Sequence, residues 1–347
     1  MKHHAAKRRR VFRGAVRFAM ALPLGGCNAP DYLSLGSQGA TIGDAGPPRP
    51  DGATAPRSSG LPWPSGVSVW STAEITNWET FRGRPTDVVG VITNYETWDG
   101  ITKPAALLAE YDNYTGQLVI AEPFWPNGAG DLATCAQGDY DQNWSDFGTT
   151  LVQGGRPSAI VRLAWQFNGS SVEWRDTDKV AWKACFQRVA AAIRATAPAA
   201  RINWSMTVLG PLHPNGSAFD VYPGDSFVDI VGVDPYDMTP ASPDQASWNA
   251  YCNGPEGLCE IAAFARTHGK QLGIGQWAVV TCGPFADRGG DNPFFVEKMH
   301  ELIAANADIL AFENYYNDRN ANQFCTSLDA PVEAPLASMK YRELWGK

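Results

Sequence analysis

The sequence predicts an α/β fold, a single (β/α)8 barrel over residues 61–347. Three observations predict it. Eight short apolar runs recur along this stretch, helical periodicity separates most of them, and the stretch is long enough for one large barrel domain. The runs are Gly66–Trp70, Val88–Tyr95, Gln117–Phe124, Ala159–Phe167, Arg201–Val208, Phe227–Tyr236, Gln271–Val279 and Ile309–Tyr316. Several are almost continuously apolar, as parallel strands covered on both faces are.

The helices are read from periodicity and end signals. Over Thr177–Ala197, Trp182, Phe186, Val189 and Ile193 share one face, and Pro198 follows the end. Thr177 is the expected cap, with Asp178 in the first turn. Over Pro293–Asn306, Asn292 is the expected cap and Pro293 takes the first helical position. Residues 209–226, between the fifth and sixth runs, are rich in Pro and Gly and read as a loop in place of a helix. In this architecture the site lies where the strands end. The endings to read are Trp165-Gln166-Phe167-Asn168-Gly169, Asp234-Pro235-Tyr236-Asp237, Gln276-Trp277 and Glu313-Asn314-Tyr315-Tyr316.

The segment before the barrel reads as an export signal and a tether. Residues 1–26 carry seven basic residues, Arg9-Arg10 among them, and no acid; a short apolar stretch, Phe18–Leu24, follows. Leu24-Gly25-Gly26-Cys27 is similar to a bacterial lipobox, which makes Cys27 the expected lipidation site. Residues 27–60, rich in Gly, Pro, Ser and Ala, read as a flexible tether. The expected location is therefore the cell envelope, as a lipoprotein, or the secreted fraction. The whole chain has a net charge of −8, and without the basic leader 21 basic residues face 36 acidic ones. That balance excludes a nucleic-acid partner. No apolar run is long enough to span a bilayer, so the only expected membrane contact is the lipid on Cys27. A monomer is expected.

Six further cysteines, Cys135, Cys185, Cys252, Cys259, Cys282 and Cys325, form an even set, which suggests disulfides in an exported chain. Cys252 and Cys259 flank a turn-rich loop and are the favoured pair; the remaining pairing is open. His213, His268 and His300 are too far apart to make a metal-ligand pattern. Asp229, Asp234 and Asp237 lack calcium-loop spacing. No metal and no cofactor are expected.

The strand endings resemble glycoside hydrolase family 26, the β-mannanase type of retaining barrel glycosidase. Arg162-Leu163-Ala164-Trp165-Gln166-Phe167-Asn168-Gly169, followed by Trp174, resembles the family's fourth strand. Tyr222-Pro223-Gly224-Asp225 and Val228–Asp234 resemble its sixth strand, and Leu272–Trp277 its seventh. The resemblance covers about residues 61–347 and is strongest from 159 to 280. It implies a polysaccharide ligand, with Arg162, Trp165, Asn168, Trp174, Asp234, Tyr236, Trp277 and Tyr315 lining the site. Trp165 stands where the family's mannanases have His, which puts mannan specificity in doubt.

At the family's two catalytic glutamate positions this chain has glutamine. Gln166 stands at the acid/base position and Gln276 at the nucleophile position. Retaining hydrolysis needs two carboxyl groups about 5–5.5 Å apart. A side-chain amide has no proton to shuttle near neutral pH and is a poor nucleophile. Loss of one such role costs roughly 10²–10⁴-fold, so the expectation is a sugar-shaped groove without retaining hydrolysis. An alternative is an active endo-glycosidase that uses relocated carboxylates, for which Glu122, Asp234, Asp237 and Glu313 are available. A further alternative is an envelope structural protein. Aromatic residues near the strand ends, including Trp70, Tyr95, Trp98, Trp125 and Tyr316, suit stacking on sugar rings as well as core packing. Arg162 is expected to pair with Asp234 or Glu122, and Tyr236 to bond Gln276. Asn168 is open between a sugar contact and a turn.

Overall fold

The computed structural model describes residues 57–208, 216–283, 287–318 and 324–347. The export segment, Cys27 and residues 28–56 of the expected tether lie outside the described residues.

Eight parallel strands close into a barrel: β1 (Ser65–Ser68), β2 (Val88–Ile92), β3 (Gln117–Glu122), β4 (Ile160–Leu163), β5 (Arg201–Thr207), β6 (Ile230–Asp234), β8 (Gln271–Val279) and β9 (Leu310–Tyr316). A two-residue extension, β7 (Tyr236–Asp237), pairs with the end of β8. The ring closes through β6–β8 and β1–β9 pairing. All eight apolar runs are barrel strands.

Helices cover the outside: α1 (Thr72–Arg82), α2 (Trp98–Thr102), α3 (Ala105–Glu110), α4 (Leu132–Gln137), α5 (Asp141–Gln153), α6 (Lys179–Thr196), α7 (Gln245–Asn253), α8 (Leu258–Thr267), α9 (Pro293–Ala305) and α10 (Pro335–Trp345). The start of α6 lies one residue later than expected. Asp178, not Thr177, is its cap, and one carboxylate oxygen accepts from both Val180 N–H and Ala181 N–H at 3.0 Å. A carboxylate also interacts favourably with the helix dipole, which a hydroxyl does less well. Asn292 caps α9 as expected, accepting from Phe295 N–H. Between β5 and β6 the described residues form only a 3-10 turn, Ala218–Val221, in keeping with the expected loop.

The barrel interior is layered. Val88, Val119, Ile160, Ile230, Ala311 and Phe312 form an apolar cluster at its base. Strand alternation then puts a polar layer above it, with Arg162 beside Asn203 on neighbouring strands and Ser205 beside Gly232. Gly275 is required in this layer. A Cβ there would lie 2.4 Å from Arg162 Nε and 2.6 Å from an Asp234 oxygen. The larger apolar core fills the space between sheet and helices.

Three disulfides link Cys135–Cys185, Cys252–Cys259 and Cys282–Cys325, so the favoured pair is formed. Residues 57–60, expected to end the tether, are packed on the barrel: Ser59 is buried and its N–H donates to Asp87. No helix among the described residues is long and apolar enough to cross a membrane.

Candidate active site

The fourth run predicts a strand through Phe167, but β4 ends at Leu163. Ala164 and Gln166 adopt left-handed backbone, with φ of 49° and 55°. For residues with a side chain such conformations cost about 1–3 kcal/mol each and persist only where the surroundings over-determine them. Here Ala164 N–H donates to Glu122 O at 2.7 Å, and Gln166 N–H donates to Ser205 O at 2.9 Å. The turn lifts the Gln166 side chain to the mouth, where it is partly open to solvent.

One carboxylate organises the mouth. Asp234, at the end of β6, is fully buried, and its Oδ2 accepts from Arg162 Nη2 at 2.5 Å and from Gln166 Nε2 at 2.9 Å. Its Oδ1 accepts from the Gln276 backbone N–H at 3.1 Å. Burial raises the Asp234 pKa; the Arg162 charge and the hydrogen bonds pull against that shift. Gln276, on β8, receives the Tyr236 hydroxyl on its Oε1 at 2.9 Å. The two glutamines, Arg162, Asp234 and Tyr236 thus form one connected site. Arg162 pairs with Asp234 rather than Glu122.

Asn168 closes a turn. Its amide donates to Thr207 O at 2.8 Å and accepts Thr207 N–H at 2.9 Å, and the side chain is fully buried, turned to the backbone rather than to the mouth. Trp165 and Trp174 are buried against each other, with ring centroids 4.6 Å apart, and Tyr95 packs on both. Trp174 Nε1 donates to Trp165 O at 2.9 Å. They brace the end of β4 rather than line an open groove.

Trp277 and Tyr315 lie elsewhere. An irregularity in β8 between Ile274 and Trp277 breaks the strict alternation, and Trp277 faces the helices. Its ring packs on Tyr315 and on Trp345 of α10, and its Nε1 donates to Glu313 at 2.7 Å. Tyr315 donates to Thr326 O. Both rings are fully buried, so the expectation that they line a groove is corrected. A half-buried aromatic at a strand end is instead Trp70, two residues beyond inward-facing Ser68; Trp98 opens α2 and packs on Tyr140 and on Trp144 of α5.

The other carboxylates are separated from this network. Glu122 is buried at the end of β3, where one oxygen accepts from Thr93 and the other has no partner; burial raises its pKa well above the ordinary carboxylate value. Glu313 sits between Trp277 and Trp345, and burial raises its pKa too. Asp237 accepts from Ser242 N–H and Asn292 Nδ2, both at 2.7 Å, and burial raises its pKa to about 6.

Sequence reasoning missed Gly275, Ser205 and Phe324. Phe324 stacks on Tyr236 with centroids 5.4 Å apart. The signal available for it was its neighbour Cys325, once the Cys282 pairing is known.

No protein-family profile matches the chain, and no curated protein matches it by sequence. Solved structures do. A modular endo-β-1,4-mannanase from Cellulomonas fimi aligns with a TM-score of 0.58 at 16% identity, over 77% of this chain and 65% of that one. The catalytic domain of an endo-β-1,4-mannanase from a Bacillus species aligns with a TM-score of 0.60 at 17% identity, over 83% of this chain and 88% of that one. This chain thus spans less than two thirds of the Cellulomonas chain. At these identities the likeness is one of architecture: the chain is built on the same kind of closed, eight-stranded parallel barrel as these two mannanases.

Proposed function

We propose that this chain is an exported glycoside hydrolase-like protein that binds a β-linked polysaccharide, mannan-like or an exopolysaccharide, without retaining hydrolysis. Gln166 takes the acid/base position and Gln276 the nucleophile position. The observation that carries this reading is the state of Asp234. Among the described residues it is the only carboxylate bonded to both glutamines, and both of its oxygens accept hydrogen bonds, from Arg162, Gln166 and the Gln276 N–H. An acid/base residue needs a proton it can pass to the leaving oxygen and a route to it. Asp234 is fully buried, with both oxygens held by Arg162 and the two glutamines, and has no such route. Asp237 and Glu313 are committed to other partners, and Glu122 is fully buried and bonded only to Thr93, which argues against a relocated pair.

The barrel shared with two proteins described as endo-β-1,4-mannanases supports a β-linked glycan as ligand. Partly open Gln166 and half-buried Trp70 supply hydrogen bonds and stacking surface. Three disulfides suit an oxidising compartment, in line with export and with a lipid anchor at Cys27.

The test is affinity electrophoresis in gels that contain linear β-1,4-mannan, β-1,4-glucan or bacterial exopolysaccharide. One polymer should retard the wild type, and Trp70→Ala should abolish the retardation. Migration unaffected by every polymer would refute the glycan-binding reading.

A further inference from the structure

We propose that Phe324 plugs the Gln276 half of the barrel mouth, so that a glycan laid across it meets the Gln166 half and not position 276. The proposal deepens the glycan-groove reading and rests on it for its ligand, but the plug itself can be measured without any glycan.

The two glutamines differ in access. Gln166 is partly open to solvent, whereas Gln276 is only 1% exposed. What covers Gln276 is aromatic. The Tyr236 hydroxyl is bonded to its amide oxygen, and the Phe324 ring lies on the Tyr236 ring, 16° from parallel. Tyr316 meets both rings edge-on at 5.9 and 6.2 Å. Tyr236 and Phe324 each retain 5% exposure. Aromatic contacts of this kind add favourable energy beyond the area they bury, so the ring is held where it lies.

The segment that carries Phe324 is tied down at several points. Thr281 N–H and Cys282 N–H both donate to Phe324 O at 3.3 Å, and the Thr281 hydroxyl donates to Cys325 O at 2.6 Å. The Cys282–Cys325 disulfide adds a covalent link at the same place. The Thr326 hydroxyl donates to Tyr316 O at 2.6 Å and accepts Asp318 N–H at 2.8 Å. Cys325 itself has left-handed backbone, with φ of 48°, a conformation that persists only when its surroundings hold it. A segment with this many ties opens rarely, and an atom beneath it reacts only when it opens. The Gln166 half has no such cover among the described residues: Trp70, Gln166 and Thr207 all keep partial exposure.

Thiol accessibility tests the plug. Gln166→Cys and Gln276→Cys are made in the full chain, each with and without Phe324→Ala. Modification by N-ethylmaleimide is followed, wild type supplying the background, and rates are corrected for thiolate fraction. Gln166→Cys should react roughly 100-fold faster than Gln276→Cys, and Phe324→Ala should speed only the latter, by about tenfold or more. Equal rates at the two positions, or no acceleration by Phe324→Ala, would overturn the proposal. Should Phe324→Ala speed both thiols together, the fold has loosened, and Phe324→Leu replaces it under the same criterion. Failure of every glycan to bind would remove the functional reading and leave these rates unchanged.

Discussion

The side-chain amide of Gln166 donates to Asp234 across 2.9 Å, beside an Arg162 guanidinium bonded to the same oxygen. Glutamate at position 166 would replace a donor with a second carboxylate. Two carboxylates at that range cannot both ionise at ordinary cost, so the pair would take up a proton well above the usual range. A raised folded-state pKa stabilises below the unfolded pKa and loses that contribution as pH rises. Gln166→Glu should therefore match wild type in thermal stability near pH 4 and fall below it by several degrees at pH 8. Adding Asp234→Asn should abolish the deficit. A flat difference between the two pH values would show that Asp234 does not sense position 166.

The Arg162–Asp234 pair is buried on both sides. Removing one partner of such a pair leaves a charge without compensation and costs about 3–5 kcal/mol. Arg162→Met should show that loss in urea unfolding at pH 7. The double variant Arg162→Met/Asp234→Asn should recover much of it, because no isolated charge remains.

Asp237 gives the fold a second pH dependence. Burial holds its pKa at about 6 against an ordinary 3.8. Its favourable contribution is complete below pH 3.8 and is lost as pH rises through 6, a change of about 3 kcal/mol. Glu122 and Glu313 are shifted the same way by burial. Thermal unfolding should give a higher midpoint at pH 5 than at pH 7.5. Asp237→Asn should reduce that difference.

The disulfides should differ in value with the chain they enclose. Cys135–Cys185 spans 50 residues and Cys252–Cys259 spans 7. On loop-closure entropy the first stabilises by about 4 kcal/mol and the second by about 2 kcal/mol. Paired Cys→Ser variants measured by thermal unfolding should keep that order.

The barrel was legible because parallel strands covered on both faces produce apolar runs, and all eight runs became strands. The network around Arg162, Asp234, Gln166, Gln276 and Tyr236 was legible through the resemblance of the strand endings to family motifs; strand alternation alone does not give it, because β4 ends at Leu163 and Gln166 lies in a turn. The mouth was less so. Trp277 reads as a site residue from its place beside Gln276, yet an irregularity in β8 between Ile274 and Trp277 turns it toward α10. Trp165 and Trp174 failed as groove residues because the left-handed turn at Ala164 and Gln166 folds them against each other, and dihedrals of that kind have no signature in Ala or Gln. Phe324 lies 48 residues beyond Gln276, and only a disulfide and the close of the barrel bring it to Tyr236.

The central claim is binding without hydrolysis, and wild-type protein incubated with the retarding polysaccharide tests it most directly. Bound protein and newly formed reducing ends are measured together, with Gln166→Ala/Gln276→Ala as the blank. The account predicts retention on the polymer and reducing ends indistinguishable from the blank. Steady release of reducing ends above the blank would contradict it.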